Sequence, residues 1–296
     1  MQLEVKGIPM YSSLMTSAIG IKGLDLEASI NLAARTGFDG LWFDIYEAKS
    51  LADRHGVDHV KNLFSSKDVR PGGWGAGVRW QDDANRDADL EALKPLAELG
   101  VALGNPFTTT GIMPANDARE FDDQYAFIVE RLRPYAEALK ASGVSLGIEF
   151  IAPKTLRDTF KYEFIYSMPR MLDLAADLGT GNIGVLFDVW HHYTAHGTIE
   201  EMDLLNPGNV FVVHVNDAPV GLEIDEQQDL VRTLPMETGV IPVPEMIAKL
   251  EAIGFAGPVV AEPFSARINE LAAVNPVAAA TETSASIRKL FTAAGI

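Results

Sequence analysis

The stretch "IGVLFDVWHHY", residues 183–193, runs through five apolar positions and then meets Asp188, Trp190 and two histidines. A strand this apolar is expected to be covered on both faces, as parallel strands flanked by helices are. Its ending in a carboxylate, an indole and two imidazoles has meaning only if other buried strands end in a similar way. The fold therefore turns on what lies on either side of it.

Seven more runs of strand length are spread along the chain. They are "GIPMYSSLM" (7–15), "GLWFDI" (40–45), "GGWGAGVRW" (72–80), "VALGNPFTTT" (101–110), "VSLGIEFIA" (144–152), "VFVVHVND" (210–217) and "GPVVAEPFS" (257–265). Between them lie segments of helical period at 25–37, 87–100, 117–143, 163–179, 198–205, 244–254 and 277–295. Several of these end in glycine, which tolerates the left-handed turn that closes a helix. Strands alternating with amphipathic helices imply parallel pairing through crossovers. Eight such units predict an α/β fold, a single (β/α)8 TIM barrel spanning residues 1–296 as one domain. A doubly wound open sheet would show a glycine-rich phosphate loop after its first strand, and "YSSLMTSAIG" (11–20) is not one.

Composition narrows the function. The 296 residues carry 24 basic and 41 acidic side chains, a formal net charge of −17 that disfavours nucleic-acid and anionic-membrane binding. The absence of cysteine removes disulfides, thiolate catalysis and zinc–thiolate sites. The start "MQLEVKGIPM" lacks the basic-then-apolar pattern of a signal peptide, and no 18-residue apolar run is present. A cytoplasmic location is the expectation.

A barrel gathers the C-terminal ends of its strands around one mouth. There the fifth strand carries Glu149, the sixth Asp188, the seventh His214 and the eighth Glu262. Two carboxylates about 4 Å apart repel by roughly 4 kcal/mol at an effective dielectric near 20. Three in one mouth call for protons or a cation. Three oxygen donors and one imidazole favour Mn²⁺, with Mg²⁺, Co²⁺ or Fe²⁺ as alternatives, whereas zinc tends to take more nitrogen or sulfur. Such an ion would leave one negative charge over.

The order Glu–Asp–His–Glu on strands five to eight resembles the xylose isomerase-like superfamily of sugar isomerases and epimerases. The likeness runs from "YSSLM" to the last helix. It implies that Glu149, Asp188, His214 and Glu262 bind the metal. Asp188 and His191 match the family's "DxxH" element, in which the histidine faces substrate hydroxyls. By the same likeness Glu149 and Glu262 double as acid and base, moving a proton beside a sugar carbonyl through a metal-stabilised enediolate.

The segments "GIEFIAPKTLR" and "HVNDAP…VRTLPMETGVI" look more like the branch that holds the catalytic subunits of bacterial C-glycoside deglycosidases. That likeness implies a lyase that expels the aglycone from a 3-oxo-glycoside beside a small β-sheet partner subunit. The endonuclease branch needs a basic DNA face and many histidines, and six histidines with a net charge of −17 oppose it. A barrel that has lost its activity is the remaining option.

Other residues can serve a sugar. Lys154 and Arg157 follow strand five, and Arg232 lies in the long 218–242 connection, which has the length of a lid. Trp190, Trp42 and Trp74 are candidates for a pocket floor. Asn216 and Asp217 are placed to orient His214. His55, His59 and His196 sit in polar surroundings and read as surface residues, and His192 is open between packing and support of the site. The similar barrels are commonly dimers or tetramers, so an oligomer is expected.

Overall fold

The computed structural model describes residues 10–75 and 77–296. The first three residues of the expected first strand (7–9) and the N-terminal decapeptide up to residue 9 lie outside them. Eight strands form the barrel: β1 (Tyr11–Leu14), β2 (Gly40–Trp42), β3 (Arg70–Gly73), β4 (Phe107–Ile112), β5 (Ser145–Phe150), β6 (Ile183–Asp188), β7 (Val210–Val215) and β8 (Pro258–Ala261). Every pairing between them is parallel, in the order β3-β2-β1-β8-β7-β6-β5-β4. A parallel bridge from Gly75 to Thr109 joins the two outer strands and closes the ring. The fold is a (β/α)8 barrel.

The apolar run that opened the sequence is fully buried along all of β6. Leu186, Val212 and Val260 pack together, with Met15, Trp42, Phe107 and Phe211 against them, in a cluster separate from the main core. The other faces of the strands meet the surrounding helices in one large core that includes Ile148, Phe150, Phe187, Val213 and Val259.

Two strand expectations shift at their ends. Residues 101–102 belong to the helix Arg86–Ala102 instead of β4. Gly100 does not stop that helix, because it is a packing glycine: a Cβ there would sit 2.8 Å from the Trp74 indole. The chain turns instead at Gly104, where φ is +83°. β3 starts before residue 72 and ends at Gly73, so Trp74 leaves the strand and enters the core, wholly buried with Nε1 bonded to the Asn105 carbonyl at 3.3 Å. It floors no pocket.

Among the expected helices, 163–179 begins only at Met168, with Pro169 in its first turn where a missing N–H costs nothing. Tyr162–Glu163 instead pairs antiparallel with Ala115–Asn116. Residues 198–205 form a 3-10 turn, Glu200–Leu204. The helices Ile45–His55, Val57–Ser65 and Ala266–Val274 add to the outer layer. Among the described residues no helix is long and apolar enough to cross a membrane.

Candidate metal centre

Register brings the strand-end residues together. Asp188, the last residue of β6, pairs directly with His214 of β7. His214 is in turn level with Val260 of β8, and the amide of Glu262 reaches the Val215 carbonyl at 3.0 Å. Glu149 sits on β5 opposite Leu186, two residues short of Asp188. One ligand atom from each of the four residues lies within 4.8 Å of all the others.

Each donor is held differently. Asp188 ends its strand and caps the helix Val189–Thr194, so its Oδ1 accepts the backbone N–H groups of Trp190 (2.7 Å) and His191 (3.3 Å). Asn216 donates to the same oxygen at 3.2 Å. That occupies Oδ1 and leaves Oδ2 turned into the cluster, 4.0 Å from His214 Nδ1. His214 Nδ1 is also 3.7 Å from Glu149 Oε1 and 3.3 Å from Glu262 Oε2. Even so, neither ring nitrogen of His214 and not Glu149 Oε1 has a hydrogen-bond partner of good geometry, although all three are buried. Orphaned lone pairs converging from an O₃N donor set fit a divalent cation.

Titration follows from this crowding. Burial pushes the Glu149 carboxyl up to about 8, and the Glu262 charge adds to the effect. Burial alone would lower His214, but Glu262, then Glu149 and Asp188, raise it to about 9. For Asp188 burial works upward too, yet Arg232, followed by His191 and His214, holds it well below the usual carboxylate range. His191, buried and beside Arg232, falls to about 4 and stays neutral.

Arg232 binds two of the four ligands. Its Nη1 donates to Asp188 Oδ2 at 2.8 Å and to Glu262 Oε2 at 3.0 Å, and its Nη2 reaches Asp229 at 3.3 Å. Its guanidinium lies 4.5 Å from the Trp190 ring centre and 5.3 Å from that of Phe264. A divalent ion together with Arg232 would balance the three carboxylates, supplying the positive charge that an ion alone leaves wanting. Trp190 is fully buried and supports Arg232 from behind. Trp42, half-buried, meets His214 edge-on at 6.1 Å between ring centres.

His191 Nδ1 accepts the Ala152 N–H at 3.2 Å, and the other ring nitrogen, Nε2, faces the Arg232 guanidinium. That nitrogen lies 3.1 Å from Arg232 Nη2 and 3.9 Å from Glu149 Oε1.

The other expected residues are engaged elsewhere. Lys154 pairs with Asp158, and Arg157 pairs with Glu163 and stacks on Tyr166 at 3.7 Å. Neither is brought to the four ligands. Asn216 orients Asp188 instead of His214. The Asp217 carboxylate accepts the amides of Ala218, Thr238, Gly239 and Ile241 and so ties down the 218–242 connection. His192 bonds Thr198 and packs on Phe187, a structural role. His55 and His59 are exposed, as is His196, which pairs with Asp225 at 2.8 Å. Phe264 and Asp229 went unnoticed in the sequence. Asp229 had a signal, its position three residues before Arg232. Phe264 had none, because what aims it is a positive φ of 39°.

The chain belongs to the xylose isomerase-like TIM-barrel family, whose pattern it matches over residues 21–290. It is similar to an inosose isomerase of Bacillus velezensis, with 25% identity over 281 residues that cover 91% of this chain and 94% of that protein. In fold it is similar to a xylose isomerase domain protein from Alicyclobacillus acidocaldarius, with a TM-score of 0.84, 24% identity, and coverage of 97% and 100%. A further likeness is the IOLI protein solved with a bound zinc atom, with a TM-score of 0.74, 17% identity, and coverage of 96% and 98%.

Proposed function

We propose that this chain is a divalent-metal-dependent sugar isomerase or epimerase that moves a proton to and from the carbon beside a carbonyl. The observation that carries the reading is the meeting of Glu149, Asp188, His214 and Glu262 within 4.8 Å, with buried lone pairs left unpartnered. The similarity to an inosose isomerase and the zinc in a related fold support it. The O₃N donor set makes Mn²⁺ the first choice of ion, followed by Mg²⁺, Co²⁺ or Fe²⁺. When bound, the ion would supply positive charge that stabilises the enediolate by several kcal/mol.

The protein's own groups do the rest. Glu149 and Glu262 are the carboxylates that solvent reaches, with side chains 16% and 12% exposed against 0% for Asp188. They are therefore the pair to take a proton from substrate carbon and return it. His191 and Arg232, in contact at 3.1 Å and with His191 Nε2 3.9 Å from Glu149 Oε1, are the groups to meet a substrate oxygen. Lys154 and Arg157 stay at the rim.

The test is a paired assay on the Mn²⁺-loaded protein. Ketoses and inososes in deuterated water should exchange hydrogen at the carbon beside the carbonyl, and 3-oxo-glucosides should release no aglycone. Release without exchange replaces the isomerase with the lyase, and the β-sheet partner subunit belongs to that outcome. Glu149→Gln and Glu262→Gln should each slow exchange by about 10²–10⁴-fold, with metal occupancy measured alongside. Wild-type rates in a metal-loaded variant remove that residue from the mechanism.

A further inference from the structure

Glycine weakens a strand, so a glycine in or beside one has a reason in its backbone, its packing or the space it leaves. Among the described glycines, all but Gly75 and Gly111 have one of the first two. Each of the others either has φ in the left-handed region or would bring a Cβ within 3.2 Å of a neighbour. Gly111 has ordinary φ, and a Cβ there would find nothing nearer than Glu149 Oε2 at 3.9 Å and Ile151 Cδ1 at 4.0 Å. Gly75 has ordinary φ and nothing within 4 Å. Both are exposed.

These two glycines are neighbours in space. Gly75 bridges Thr109, two residues before Gly111, at the β3–β4 seam. Gly111 pairs with Glu149, the most solvent-open of the three ligand carboxylates. The direction in which Gly111 lacks a side chain is therefore the space in front of Glu149. Ile151, whose Cδ1 lies 4.0 Å from where that Cβ would be, borders the space with an apolar side chain. Around Asp188 and Glu262 the space is taken by Arg232, with Trp190 and Phe264 against its guanidinium.

We propose that Gly75 and Gly111 hold open a cleft beside Glu149 that receives a second ring carried by the substrate. This rests on the proposed sugar chemistry and sets its substrate class: a sugar bearing a ring-sized substituent, whose apolar face lies on Ile151, instead of a free monosaccharide. Gly111 and Gly75 are specificity-determining positions. Neither conformation forbids a side chain, so a β-branched residue, at home in a strand, fills the cleft without backbone strain.

The experiment is calorimetric binding to the Mn²⁺-loaded protein. D-fructose is compared with turanose, lactulose and isomaltulose, ketoses that each carry a second sugar ring, and hydrogen exchange in deuterated water is read on the same samples. Wild type should bind at least one of the disaccharides about tenfold more tightly than fructose. Gly111→Val and, separately, Gly75→Val should erase that preference while Mn²⁺ affinity stays within about twofold. Equal affinity for all four sugars in wild type, no binding of any, or a preference that survives both substitutions overturns the cleft. Preference without exchange leaves the cleft standing and removes the isomerase reading. Exchange without preference does the reverse.

Discussion

At Asp188 the two oxygens of one carboxylate meet different fates, and the rest of the site follows from it. Oδ1 is held by two backbone amides and Asn216, so the group cannot rotate, and Oδ2 is fixed toward His214 and Arg232. Its neighbours hold protons that a cation must displace, with His214 at about 9 and Glu149 at about 8. At pH 7 metal binding should therefore release protons, and affinity should climb from pH 6 to 9, by up to about tenfold per pH unit for each proton displaced. Calorimetry in buffers of different ionisation enthalpy reads the release directly, and heats independent of buffer would contradict it. The same shifts fix how stability of the metal-free protein depends on pH. A carboxyl raised from 4.5 to about 8 and an imidazole raised from 6.5 to about 9 both bind more protons folded than unfolded. Their contribution therefore falls as pH rises from about 4.5 through 9, most steeply between about 6.5 and 8 where both titrate. The lowered value of His191 acts oppositely between about 4 and 6.5 and there offsets the Glu149 contribution, so the net fall sets in above about 6.5.

The 218–242 connection is the element that the sequence marks only by its length. It carries Arg232 inward while Leu230 and Val231 face solvent, 57% and 48% exposed. Asp217 holds it in that attitude, its carboxylate accepting four backbone amides and its own backbone exchanging two hydrogen bonds with Thr233, next to Arg232. Asp217→Ala should cost about 2–4 kcal/mol, because buried amides lose an acceptor they cannot replace. Urea unfolding gives the loss, and hydrogen exchange should quicken at Thr238, Gly239 and Ile241. An unchanged midpoint would mean that water takes over the acceptor's role. Lys154 and Arg157 teach a different lesson about this scale. Their positions after β5 suggested substrate contacts, yet Asp158 stands four residues from Lys154 and Glu163 six from Arg157, within reach in the sequence itself. Charge after a strand was legible, and so was its local partner.

At the scale of the whole barrel, the ligand quartet was legible because each ligand sits within a residue or two of a strand end, a local pattern repeated four times. The targets of Asn216, the φ of Phe264 and the space beside Gly111 were not, since each depends on a neighbour brought in by the fold. The layout has a mechanical consequence. All four ligands come from consecutive strands β5–β8, whereas among the described residues β3 meets β4 at one bridge, Gly75 with Thr109, helped by the Thr108 hydroxyl on the Trp74 carbonyl at 2.9 Å. An ion would brace half of the ring and leave that seam to its own hydrogen bonds. Metal at a hundred times its dissociation constant should add about 2.7 kcal/mol to stability. Chelation should quicken amide exchange at the mouth ends of β5–β8, around residues 149–151, 188–191, 214–217 and 262–265, and leave β1–β3 unaltered. Exchange that quickens evenly around the ring, or nowhere, would show that protons on Glu149 and His214 together with Arg232 already brace the mouth as firmly as a metal does.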